Sequence, residues 1–78
     1  MAVNIWFSRK TAKDELKETL FFSGMEYGEW SKGKDGYAVD CSVGKVEIRS
    51  MYDIRVNGRK VGGVTDFKRV VGDWIQRG

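Results

Sequence analysis

The spacing of apolar positions changes several times along the chain. Val3 to Phe7 is a short β-branched and aromatic run that predicts a buried strand. From Thr11 to Phe22 the period lengthens. Leu16, Thr19, Leu20 and Ser23 recur at three-and-four spacing, with Asp14, Glu15, Lys17 and Glu18 on the other side, as in an amphipathic helix. Thr11 is its expected N-cap, Asp14 and Glu15 suit the positive end of its dipole, and Gly24 suits the left-handed residue that closes a helix.

Alternation resumes in "MEYGEW", residues 25 to 30, which predicts a second strand bracketed by Met25, Tyr27 and Trp30, followed by the polar loop "SKGKDG". Residues 37 to 49 fit two periods. Tyr37, Val39, Cys41 and Val43 alternate like a strand, whereas Val39, Val43 and Val46 also make a helical stripe, so residues 34–48 read as either a helix or a β-hairpin. Ile54 and Val56 then face one way and Arg55 the other. Asn57-Gly58 supplies the two positive backbone dihedrals of a type I′ hairpin. Beyond Gly62 and Gly63, Thr65 and Asp66 can cap a last helix whose apolar face is Phe67, Val70, Val71, Trp74 and Ile75. Gly72 weakens that helix by about 1 kcal/mol relative to alanine.

Composition narrows the functional classes. Seventy-eight residues suffice for one small core, so residues 1–78 are expected to form a single domain, and 41% apolar with 32% charged residues is ordinary for a folded chain. With no histidine and only Cys41, there is no Cys/His metal-ligand spacing, no Ser-His-Asp chemistry and no internal disulfide; no catalytic residue and no metal ligand is assigned. No apolar run is long enough to span a bilayer, and "MAVNIWFSRK" places its apolar residues before its charges, the reverse of a secretory leader. The expectation is a cytoplasmic protein that does not engage a membrane. A net charge of +3 is small for a dedicated nucleic-acid binder.

The segment "IRSMYDIRVNGRKVGGVTDF" resembles the part of glutaredoxins in which Thr-Val-Pro leads into a strand, an Asn/Asp-Gly turn, a second strand, a glycine pair and a Thr-Asp cap. "NIWFSR" and "LKETLFFSGMEY" are similar to the family's first strand, first helix and second strand. The resemblance thins between Ser31 and Val46. It implies an α/β, thioredoxin-like fold of glutaredoxin type, ordered β-α-β-(α or β-hairpin)-β-β-α.

On that alignment the Cys-x-x-Cys motif falls on Lys10, Thr11, Ala12 and Lys13, and Tyr52 takes the place of the cis-proline, where a trans bond is expected. Lysine forms no mixed disulfide, so the resemblance implies a domain without thiol-disulfide activity. The family's glutathione contacts would map to Met51 for the cysteinyl part, Gly63, Thr65 and Asp66 for the γ-glutamyl end, and Arg9 or Lys10 for the glycyl carboxylate. The same glycines and cap residues also serve a tight strand-to-helix turn with no ligand at all.

Three functions follow as expectations. The first is a redox-inactive, non-enzymatic module that binds an acidic protein surface through Arg9, Lys10, Lys13, Trp30 and Tyr52, without a cofactor, as an inhibitor or adaptor of the kind phages and mobile elements encode. The second is residual binding of glutathione or another anionic ligand. The third, weak nucleic-acid binding through the basic clusters "SRKTAK" and "NGRK", is not favoured. Trp6 and Trp74 are expected in the core, Trp30 as an exposed anchor, and Cys41 as a small, partly buried apolar residue.

Overall fold

The computed structural model describes residues 5–42 and 44–77. Helix α1 (Ile5–Phe22) is followed by five strands, β1 (Ser31–Lys32), β2 (Tyr37–Cys41), β3 (Gly44–Ser50), β4 (Asp53–Val56) and β5 (Arg59–Gly62), and then by α2 (Val64–Arg77). The strands form one antiparallel meander in the order β1-β2-β3-β4-β5. This corrects the thioredoxin-like, glutaredoxin-type expectation: among the described residues α1 precedes every strand, and neighbouring strands all run antiparallel.

The expected first strand is the first turn of α1 instead. Val3 lies outside the described residues, while Ile5, Trp6 and Phe7 form the first turn of α1. No glycine or proline separates them from the helix formers that follow, so the helix extends backwards. Trp6 packs edge-on against Tyr37 at 5.8 Å between ring centroids, a tertiary contact that outweighs the strand preference of a three-residue run. Thr11 therefore sits inside the helix and is not its N-cap; its Oγ1 donates to the Phe7 carbonyl at 3.0 Å.

The far end of α1 closes as the sequence predicts. Gly24 has φ of 71°, its N–H donates to the Phe21 carbonyl, and the Met25 N–H donates to the Leu20 carbonyl, the paired bonds of a Schellman motif. After that turn, the strand predicted over residues 25–30 is reduced to one bridge between Tyr27 and Cys41. β2 and β3 pair antiparallel, the strand alternative of the two that the periodicity allowed; Val43 lies outside the described residues. The Asn57-Gly58 hairpin forms as expected, with φ of 53° and 83°.

One face of the sheet is apolar. Val39, Val46, Ile48, Ile54 and Val56 point into a core completed by Ala12, Leu16 and Leu20 of α1 and Phe67 and Val71 of α2. The Val39–Val46, Val46–Val56 and Ile48–Ile54 cross-strand pairs continue that face across three strands. The other face is solvated, and its neighbours are charge-matched: Asp40 opposite Lys45, and Glu47 opposite Arg55. Both helices cover the same side, α1 against β3 and α2, and α2 against β5.

Candidate functional site

One end of the molecule gathers the N-terminal half of α1, the β1–β2 turn, the β3–β4 turn and the start of α2. Register places them together, because Lys32 pairs with Tyr37, Tyr37 with Ile48, and Ser50 with Asp53. Arg9 ties α1 to this end by donating from Nε to the Arg49 carbonyl at 2.8 Å.

Here Trp6 and Tyr37 carry three cations. The Arg9 guanidinium lies 4.5 Å from the Trp6 ring centroid, the Lys32 ammonium 4.6 Å from the same centroid, and the Lys13 ammonium 4.7 Å from that of Tyr37. Contact with an electron-rich ring face lowers the cost of holding positive charges close together. The ion pairs among the described residues are Arg55–Asp53, Lys68–Glu15 and Arg69–Asp66, so none of the three clustered cations is matched to a carboxylate. Lys10, one residue beyond Arg9, is exposed.

On the other face of the β1–β2 hairpin lies a groove of about 300 Å³ lined by Lys32, Lys34, Lys45 and Arg49 against Asp35 and Glu47. Its tight turn needs Gly36, at φ of 149°, where a Cβ would overlap the Ile48 carbonyl.

The sequence-predicted residues divide between two places. Arg9, Lys10 and Lys13 lie on α1, in its second and third turns and not at its N-terminus, and Ala12 between them is fully buried in the core. The assignment of positions 10–13 to a degenerate helix-tip motif therefore fails together with the fold that motivated it. Met51, Tyr52, Gly63 and Asp66 do come together, but as a structural junction. The Met51 carbonyl accepts the Val64 N–H at 3.1 Å. Asp66 accepts the Gly63 N–H at 2.9 Å through Oδ2 and pairs with Arg69 at 2.7 Å through Oδ1, the reach-back half of a capping box.

Thr65 is exposed in the first turn of α2, and Tyr52 is exposed at the β3–β4 turn, where the peptide bonds are trans as expected. Trp30 does not stand out from the surface; it is half-buried against the core, with Nε1 inaccessible and unpaired. Cys41 is half-buried at the opposite end of β2 from Tyr37, its Sγ 3.3 Å from the Gly44 carbonyl.

Sequence reasoning missed Trp6, Lys32 and Tyr37. Had the helix been read from residue 5, Trp6, Arg9 and Lys13 would have shared one side at spacings of three and four; the contribution of the hairpin depends on strand register, which carries no local signal. Among the described residues there is no cluster of three or more His, Cys, Asp or Glu side chains able to hold a metal, and no helix long and apolar enough to cross a membrane.

In comparisons with protein-family models, curated proteins and solved structures, nothing matches this chain.

Proposed function

We propose that the protein is a non-catalytic binding module that docks an acidic segment of another protein onto the Trp6–Tyr37 cluster. The observation that carries this reading is the unmatched charge of Arg9, Lys13 and Lys32, held over two aromatic rings at one end of the fold. A carboxylate-rich peptide supplies the missing counter-charges, and the guanidinium of Arg9 adds directional donors. Binding of this kind lets a chain of 78 residues act as an inhibitor or adaptor by covering an acidic surface. A reducing compartment such as the cytosol suits its single free thiol.

An acidic protein is favoured over nucleic acid for two reasons. The groove beside the cluster intersperses Lys32, Lys34, Lys45 and Arg49 with Asp35 and Glu47, and Asp40 and Glu47 face Lys45 and Arg55 across the strands, so the cations that continue from the cluster alternate with carboxylates that would repel a phosphate backbone. The rings, each faced by a cation, are also poorly placed as stacking platforms for bases.

Fluorescence anisotropy with a labelled poly-glutamate peptide and a labelled single-stranded oligonucleotide tests the reading. The peptide is expected to bind, and the Arg9→Glu/Lys13→Glu/Lys32→Glu variant to weaken it by about tenfold or more. Tighter binding of the oligonucleotide, with a steep loss on adding salt, would transfer the assignment to nucleic acid.

A further inference from the structure

Helix α1 buries only a narrow side. Opposite Ala12, Leu16 and Leu20, the residues Phe7, Asp14 and Phe21 recur every seven positions along one line, with Phe22 beside the last. The three phenylalanines are 70%, 67% and 78% exposed, unusual for rings of this size in so small a chain. The line has flanks of opposite sign: Lys10 and Lys17 on one side and Glu18 on the other, where Glu15 is already paired with Lys68 of α2; Lys10, Lys17 and Glu18 are exposed.

We propose that this face binds a second copy of the chain, forming a two-fold dimer in which the two α1 helices lie side by side and parallel. An axis along the helices turns each basic flank toward the other copy's acidic flank. It sets Lys17 against Glu18 of the second copy and Lys10 toward Asp14 of the second copy, while Phe7 and Phe21 meet their own counterparts. The antiparallel alternative sets Lys10 against Lys17 of the second copy, a like-charge contact, so the charge pattern selects the parallel pair. The exposed rings offer about 400 Å² per chain, roughly half of what a partner contributes to a standard stable interface. The dimer is therefore weak and concentration-dependent. It stands apart from the docking cluster, because Arg9 and Lys32 lie off the Phe7–Phe21 line.

Sedimentation velocity on the full chain from about 10 µM to about 1 mM tests the dimer. The weight-average mass should climb from 8.9 kDa toward twice that value. Phe21→Glu should hold it at the monomer mass. Lys17→Glu and Glu18→Lys should each raise the dissociation constant by about fivefold, and the two changes together should return it to within about threefold of the original, since the swapped charges still face each other. All of these positions are exposed, and circular dichroism verifies that each variant is folded. A constant 8.9 kDa at the highest concentration would overturn the proposal, as would a Phe21→Glu chain that still dimerises or a charge swap no stronger than its single changes.

Discussion

The two halves of this domain use their apolar residues differently. From β3 to α2, Val46, Ile48, Ile54, Val56, Phe67 and Val71 are all buried, and their strands are joined by turns of two residues. Helix α1 is longer than α2 yet buries only Ala12, Leu16 and Leu20, and it exposes Phe7, Phe21 and Phe22. Its cations rest on Trp6 and Tyr37 without matching carboxylates. The second half turns nearly all of its large apolar side chains inward, whereas the first half contributes Ala12, Leu16, Leu20 and Val39 to the core and leaves three phenylalanine rings in solvent. Burial energetics and surface chemistry are therefore separable here by substitution.

The largest expected effect is in the core. Phe67→Ala removes a fully buried ring that packs edge-on against Trp74 at 6.2 Å, and should cost about 3–5 kcal/mol in urea denaturation. For a chain whose total stability is roughly 4–12 kcal/mol, that brings it close to unfolding. Next is the junction between β5 and α2. Gly62 has φ of 118° and its missing Cβ leaves room for the Asp66 carboxylate, so Gly62→Ala should destabilise by about 1–3 kcal/mol by the same measurement. Asp66→Ala, which loses the bonds to Gly63 and Arg69, should cost about 1 kcal/mol. Smallest of all, Lys13→Glu and Phe22→Ser should each shift stability by no more than about 0.5 kcal/mol at micromolar concentration. A change in α1's surface as costly as the one at Phe67 would erase the contrast between the two halves.

How much of this was legible depends on whether a signal was local. The Asn57-Gly58 turn, the Gly24 helix end and the apolar face of α2 depend on a few adjacent residues, and all three formed. Even so, Ile75, predicted on that face, is half exposed near the end of α2. Residues 5–7 and 25–30 carried strand-like composition, but a strand needs a neighbour. Trp6 instead found Tyr37 across the fold, and only Tyr27 of the second segment reached a bridge. The resemblance to glutaredoxins rested on turn and cap spacings that any hairpin leading into a helix can share, so it located the end of α1, β4, β5 and α2 while misplacing the first strand, the start of α1 and the second strand. Of the cluster, Arg9 and Lys13 are legible in the basic run "SRKTAK". Their assembly with Lys32 depends on the register that sets Lys32 opposite Tyr37.

The most direct test of the account is an amide chemical-shift titration of the isotope-labelled chain with poly-glutamate. The account predicts shifts concentrated at Trp6, Arg9, Lys13, Lys32 and Tyr37, abolished in the Arg9→Glu/Lys13→Glu/Lys32→Glu variant, with Gly63 and Asp66 unmoved. Shifts centred on Gly63 and Asp66, or a variant that responds like the original chain, would contradict it.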